Sequence, residues 1–542
     1  MKKMKNVLLL LVVFSTSFSF AQQQDALVFL LDKEDVETSI SNPITIMTQD
    51  AIDRKSLQNT PIDARDVPVN EAYIAQLKEI PGITVHAKSK WMNAVYIRGS
   101  QTAIDALLDL NFVSSVEFMD KSLNFGTGTG TTPDKFAIEN QQGRVVYDYG
   151  AAANQTTMLK VDYLHEQDFT GDGIVVAVLD SGFPNVMNNP AFSHIVSDGR
   201  LLGTYDFALR QENVDGTGSH GSQTFSDIGG FILDQFVGTA PEASFYLFRT
   251  EFGPTENPVE EAWWVEALER ADSLGVDVVN TSLGYQDYDN PAYDHTYADL
   301  DGQTTIGARG ANHAFDKGMI LVTSAGNDGN GFTYVGTPGD SPGMLTIGAV
   351  NANGSYVSFS STGPTVDGRV KPDVMAQGLN AAVVSSTGNV STSNGTSFSS
   401  PIMAGAVASL WQAKPETTNA QLMQIVRESA HLFNSPSDEM GYGIPNFEDA
   451  LNNLISLGVE DQLRTAQFAI YPNPVKDNVY ISFPDQELKA AISVFNIIGK
   501  EVLTASITSS SNSLNLSELA SGVYFATIQS NTKTNSFKII KE

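Results

Sequence analysis

Five short apolar runs recur across the middle of the chain: GIVVAVLD (173–180), ASFYLFR (243–249), VDVVNTSLG (276–284), MILVTSAGN (319–327) and MLTIGAVN (344–351). Each is too uniformly apolar for a strand with one wet face, so each reads as a strand buried on both faces. Amphipathic stretches lie between them, including 260–274 and 310–317. Buried strands alternating with helices call for a mostly parallel sheet covered on both sides, over residues 150–457. In such sheets functional side chains collect at the carboxyl ends of the strands.

Asp180 closes the first of these runs and Asn327 the fourth. A carboxylate at a strand end can hold a partner fixed, and an amide can donate to a developing negative oxygen. Both also suit turns: Asp180 precedes Ser181-Gly182, and Asn327-Asp328-Gly329 is itself a turn sequence. Among seven histidines only His220, in DGTGSHGSQTFSDIGG, has glycine beside it and a small-residue approach that lets other backbones come near. The stretch GTSFSSP (395–401) is loop-like in composition yet runs straight into the apolar IMAGAVASLW. Gly395 admits a close backbone, and Ser397 stands at the helix start near free N–H groups. Pro401 is expected in the first turn, where a missing N–H is harmless. Ser399 and Ser400 go to structural roles at the helix start, and a plain N-cap is the ordinary role for any of the three serines.

VAVLDSGF, GSHG, SAGND and GTSFSSP occur in that order on expected strand ends and helix starts. On these residues the chain resembles the subtilisin-like serine peptidases of family S8, whose triad runs Asp, His, Ser along the chain. The family's Gly-Thr-Ser-x-x-x-Pro is met at every fixed position. The resemblance implies a secreted serine endopeptidase of subtilisin-like α/β fold that works through an acyl-enzyme. Ser397 would be its nucleophile, His220 its general base and acid, and Asp180 the group that orients the imidazole. Asn327 and the Ser397 N–H would hold the oxyanion. Ser282, Leu283 and Gly284 match the segment that pairs with an extended substrate as an added strand. Ser324, Ala325 and Gly326 match the opposite wall, and Asp328 at its rim would favour basic side chains. The sequence departs from the family after His220, where Gly221-Ser222-Gln223 replaces the usual Gly-Thr-His. Residues 284–305 resemble an acid-rich insertion, in which Asp287, Asp289, Asp294, Asp299 and Asp301 form a solvated loop or supply oxygen ligands to a structural calcium.

The flanks are organised differently. Residues 1–21 carry three lysines, an apolar stretch from Val7 to Phe14 and a small residue at Ala21, the layout of a secretory signal cut after Ala21. Residues 22–123 read as a small α+β unit, with helices at 72–79 and 102–109 and strands at 83–87, 94–98 and 113–118. Its opening strand near 26–31 is followed by a long polar detour. The unit resembles the family's propeptides, which assist folding and then block the cleft; an N-terminal binding domain is the alternative. Residues 124–149, with NFGTGTGTTPDKF, read as a linker and processing region. After a polar linker at 458–467, residues 468–542 read as a small all-β sandwich. YPNPVKDNVYI, VFNIIGKEV, LNLSELASGVYFATI and KIIK resemble the type A C-terminal sorting domain of the type IX secretion system. That resemblance implies the secretion machinery as a partner, with release or attachment at the outer cell surface. A glycan- or protein-binding sandwich is the alternative.

Composition narrows the rest. The chain has no cysteine, which removes disulfides, thiolate metal sites and a cysteine nucleophile together. No HExxH occurs, so a metallopeptidase is disfavoured, and the hydrolysis needs no organic cofactor. A net charge of −30 argues against nucleic acid as a partner. The expected partners are protein or peptide substrates and the chain's own propeptide, on a monomeric enzyme. The rival reading is a catalytically silent scaffold of the same fold that binds a surface protein or glycan.

Overall fold

The computed structural model describes residues 23–124, 147–216, 218–329, 331–466, 468–471, 473–483, 487–509, 511–530 and 534–541. The signal sequence read at 1–21 and most of the processing region, 125–146, lie outside them. The chain divides into two compact units, 1–448 and 449–542.

Within the first unit, strands β1 (Gln23–Leu30), β2 (Ile83–Ser89), β3 (Ala94–Ser100) and β4 (Val113–Phe118) form an antiparallel sheet in the order β2-β3-β1-β4. Alternation along the strands divides its side chains between two cores. Ala26, Val28 and Leu30 pack with Ile74 and Leu77 of the helix Glu71–Glu79. Leu27, Trp91 and Tyr96 pack instead with Trp263, Trp264 and Val265 of the helix Val259–Leu274. The polar detour after β1 contains a helix, Gln49–Leu57, which Thr48 starts by accepting the Ala51 N–H at 3.2 Å. Its buried face carries Arg54 and Lys55, so no apolar period marks it in the sequence.

The chain continues through β5 (Val175–Asp180), β6 (Leu201–Asp206), a hairpin of β7 (Phe231–Ile232) and β8 (Phe236–Val237), then β9 (Ser244–Arg249), β10 (Val278–Thr281), β11 (Ile320–Ser324), β12 (Met344–Val350) and β13 (Val374–Gln377). Apart from the hairpin these pair in parallel, in the order β13-β12-β11-β10-β5-β9-β6. All five apolar runs are strands of this sheet, and β6 and β13 extend it at the two edges. Neighbouring residues of β10 show that both faces are covered. Asn280 Oδ1 accepts the Ser400 hydroxyl at 2.9 Å from the helix Thr396–Gln412, while the Thr281 hydroxyl accepts the Trp264 indole N–H at 2.9 Å. The expected α/β architecture is therefore the observed one. A hairpin of β14 (Ala381–Val384) and β15 (Val390–Ser393) leads into the helix Thr396–Gln412. From Phe398 to Trp411 that helix is buried on every side, as its all-round apolar composition requires.

The segment read as a polar linker at 458–467 is helical as far as Ala466, the end of the helix Phe447–Ala466. Beyond it, β16 (Ala469–Tyr471), β17 (Asn478–Ser482) and β20 (Ser513–Asn515) form one sheet. β18 (Lys489–Asn496), β19 (Glu501–Thr508), β21 (Gly522–Gln529) and β22 (Thr534–Lys541) form a second. Val479, Ile481, Ile492, Val494, Ala526 and Ile528 fill one core with Phe468 and Ile539, which gives the expected all-β tail.

Candidate active site

Asp180 ends the buried strand β5 with no exposed surface. Its carboxylate is held from several sides. The Ser181 N–H donates to Oδ1 at 2.7 Å, and the Thr224 hydroxyl donates to Oδ2 at 3.1 Å. His220 opens the helix His220–Gly229, and its Nδ1 lies 2.8 Å from Oδ1 and 3.0 Å from Oδ2. A carboxylate accepts only, so Nδ1 carries the proton and Nε2 is left as the acceptor. The attraction of Asp180 holds the imidazole pKa above its usual value, against the opposing effect of burial. Gly221 allows this approach: a Cβ there would lie 2.4 Å from the Gly182 carbonyl oxygen. Where the sequence departs from Gly-Thr-His, the Ser222 hydroxyl donates to the Pro184 carbonyl at 3.1 Å and Gln223 accepts from Ser393 at 3.4 Å.

Ser397 is the second residue of its helix, which begins at Thr396. Pro401 therefore stands in the second turn, inside the helix, and not in the first turn as expected from sequence. Its missing N–H has a local consequence. Pro401 cannot donate to the Ser397 carbonyl four residues back, and the Ser282 hydroxyl donates there instead at 2.8 Å. The Ser397 hydroxyl in turn donates to the Ser282 carbonyl at 3.5 Å. Among the described residues no hydrogen bond joins it to His220 in this conformation. The ring of the adjacent Phe398 lies against the imidazole, with centroids 5.7 Å apart. Ser399 and Ser400 are buried inside the helix: the Ser399 hydroxyl donates to the Thr396 carbonyl at 2.9 Å, and Ser400 bonds Asn280.

Asn327 lies beyond the strand it was expected to close, since β11 ends at Ser324. Its Oδ1 accepts the Thr396 N–H at 2.9 Å and the Thr396 hydroxyl at 3.1 Å, and so caps a helix whose own N-cap residue is Gly395. A backbone donor fixes the amide orientation of the exposed Asn327, which leaves Nδ2 as its donor side, next to Gly395. The two candidate walls leave adjacent strand ends, because Thr281 of β10 pairs with Thr323 of β11. Ser282, Ser324 and Ala325 are buried, Leu283 and Gly326 half-buried, and Gly284 exposed. The Gly326 N–H donates to the Thr396 hydroxyl at 3.2 Å, which ties the second wall to the same helix start.

Among the described residues no three carboxylates of the acid-rich insertion converge on one point. Asp294 accepts the Tyr288 N–H at 2.8 Å, and Asp301 the Gln303 and Thr304 N–H groups at 2.8 Å. Asp289 accepts the Glu256 N–H at 3.3 Å, and Asp299 pairs with Lys121 at 2.8 Å. The carboxylates that do converge among the described residues are Glu251, Glu256 and Glu260. Burial raises the pKa values of Glu251 and Glu260 and so favours their protonated forms.

Sequence reading missed Thr224, Thr396 and Phe398. Thr224 follows His220 by four residues on one helix face, so helical spacing could have found it. Nothing local links Thr396 to Asn327, 69 residues away in the chain.

The chain also resembles known families and proteins. The Subtilase family profile matches residues 171–443. Residues 25–136 match a peptidase S8 propeptide domain of Bacteroidota, and 469–542 a secretion system C-terminal sorting domain. Serine protease AprX of Bacillus subtilis (strain 168) is 27% identical over 315 residues, which cover 53% of this chain and 67% of that protein. Subtilisin E of the same organism is 28% identical over 317 residues, covering 57% of this chain and 74% of its own length. The structure of the MycP3 protease from the type VII (ESX-3) secretion system aligns with 58% of this chain and 93% of its own, at 23% identity and a TM-score of 0.45.

Proposed function

Because this chain belongs to the subtilase family and is a subtilisin-like serine endopeptidase, we propose that it cuts peptide bonds with Ser397, His220 and Asp180 through an acyl-enzyme. The observation that carries this reading is the held Asp180–His220 pair, whose imidazole lies on Phe398 beside Ser397. Ser397 Oγ attacks the scissile carbonyl as His220 Nε2 takes its proton. Collapse of the tetrahedral intermediate breaks the C–N bond, and the imidazolium returns the proton to the leaving amine. Water then attacks the ester by the same route, releasing the acid and restoring the serine. Asp180 keeps Nδ1 protonated and stabilises the imidazolium. Catalytic hydrogen bonds are commonly long in an empty site and tighten around substrate, which accommodates a Ser397 hydroxyl that bonds the Ser282 carbonyl and not His220. No cofactor takes part in this chemistry.

The oxyanion would meet Asn327 Nδ2 and the Ser397 N–H, both beside the helix start. Asn327→Leu is expected to lower kcat by about 10²–10³-fold with little change in KM, a magnitude known from a subtilisin. Steady-state kinetics on a peptide amide measure it, and a KM effect without a kcat effect would remove Asn327 from this role. The raised pKa of His220 sets the acid limb of kcat/KM above pH 6.5. Activity falls as pH drops through that value, because the protonated ring cannot accept the serine proton. A limb well below pH 6.5 would contradict the base assignment. Ser282, Leu283 and Gly284 would add the substrate as a strand along one wall, with Ser324, Ala325 and Gly326 opposite.

The sorting domain directs the protein to the secreted or surface-attached state by type IX secretion. No helix among the described residues is long and apolar enough to cross a membrane. Residues 22–123 would serve as the intramolecular inhibitor, with their cleavage from the enzyme falling in 124–149.

A further inference from the structure

The N-terminal unit meets the catalytic domain at several places, among them two that flank a cavity. At the first, Glu269 caps the turn after β2: the Ser89 hydroxyl donates to it at 2.6 Å, the Lys90 N–H at 2.7 Å and the Trp91 N–H at 3.0 Å. The second belongs to the detour at residues 31–70. A cavity of about 460 Å³, lined in part by Lys90, Tyr205 and Arg270 with Ile46 and Asp66, opens between the two.

The second contact is made of charge. The helix Val259–Leu274 ends at Gly275 and the helix Ile306–Asp316 ends at Lys317-Gly318, so two helix C-termini meet the detour. Such ends expose unpaired carbonyls and negative dipole, and cations suit them. Arg54 supplies one, donating to the Lys317 carbonyl at 3.1 Å and to Asp272 at 2.5 Å. Lys55 reaches the same Asp272 oxygen at 2.7 Å. In the opposite direction, Lys317 pairs with Asp66 at 2.7 Å and with Asp63 at 3.0 Å. Asp272, Lys317 and Asp66 have no exposed surface, and Lys55 only 1%. The backbones also touch: the Thr48 N–H donates to the Ser273 carbonyl at 2.9 Å, and a Cβ on Gly275 would lie 2.9 Å from the Ala51 nitrogen.

We propose that residues 31–70 are a charge-selective anchor that keeps the propeptide bound to the catalytic domain after the connecting chain has been cut, and that reserves the Asp272–Lys317 face for this propeptide. A buried ion network adds little net affinity over an apolar contact, but it punishes any partner that lacks one of its charges. Charges run in both directions across the interface, so a segment without the Arg-Lys pair and the following acid leaves Asp272 or Lys317 buried alone. The inference rests on the propeptide reading above.

The test uses the full chain carrying Ser397→Ala, with a site for a specific added protease placed within 125–146. After cutting, the dissociation rate of the N-terminal fragment is followed by size-exclusion chromatography and by a surface-binding assay. In the Arg54→Ala/Lys55→Ala chain the fragment is expected to leave about 100-fold faster or more. Asp66→Asn, which keeps the shape, is expected to speed release by about 10-fold and serves if the double variant fails to fold. Release from both Arg54→Ala/Lys55→Ala and Asp66→Asn within threefold of the parent rate, or rapid release from the parent itself, would overturn the anchor. The same cut made in the chain that keeps Ser397 separates the two readings: full hydrolysis with the fragment still bound would remove the inhibitor role and leave the anchor standing.

Discussion

Replacing Ser397 with alanine is expected to lower peptide hydrolysis by about 10⁶-fold, the loss that a subtilisin suffers without its nucleophile. The size follows from chemistry: alanine has no oxygen to form the acyl-enzyme, and what persists is the effect of binding and of the oxyanion donors on direct attack by water. Folding should survive. Ser397 is only half-buried and its hydroxyl makes one long bond, to the Ser282 carbonyl at 3.5 Å, while the Ser282–Ser397 carbonyl bond needs no side chain at 397. The variant should also retain residues 23–124 when purified from other proteases. Loss of that segment from pure Ser397→Ala protein would exclude self-processing, and Ser399→Ala with the same kinetic defect would move the nucleophile elsewhere.

Asp180→Asn is the second large effect. Asparagine can occupy the same space, yet its amide can present N–H to Nδ1 and so favour the wrong histidine tautomer. It also removes the negative charge that stabilises the imidazolium. The expected loss in kcat is about 10⁴-fold. The pH profile gives a second sign. Asp180 raises the His220 pKa, so in Asp180→Asn the acid limb of whatever activity persists should move to lower pH. Thermal stability should fall as well, because the buried site keeps its donors, the Ser181 N–H and the Thr224 hydroxyl, without the charge they serve. A variant with lost activity but an unmoved limb would show that the pair acts through structure alone.

Much of the catalytic fold was legible because its central strands are buried on both faces and so leave continuous apolar runs. The edge strand β6, LLGTYD, has no such run: only Asp206 in it is fully buried, and its polar and glycine residues read as loop. The helix Gln49–Leu57 was hidden for a related reason. Its large buried side chains are Arg54 and Lys55, beside the small Ala51, and their partners Asp272 and Lys317 come from more than 200 positions further along the chain. The four site motifs were readable as short strings, but their arrangement was not. Asn327 looked like the end of a strand and is instead the cap of the Ser397 helix. Pro401 looked like a first-turn residue and instead frees the Ser397 carbonyl for Ser282, a link that joins the candidate nucleophile to the candidate substrate wall. Both are long-range hydrogen bonds, which local pattern does not encode.

The most direct test of the account is to label the secreted, processed enzyme with a serine-directed fluorophosphonate and to locate the adduct by peptide mass mapping. The account predicts stoichiometric labelling on Ser397, with loss of peptide hydrolysis in proportion and no labelling of the Ser397→Ala protein. An adduct on another serine, or an unlabelled protein that still hydrolyses peptides, would contradict it.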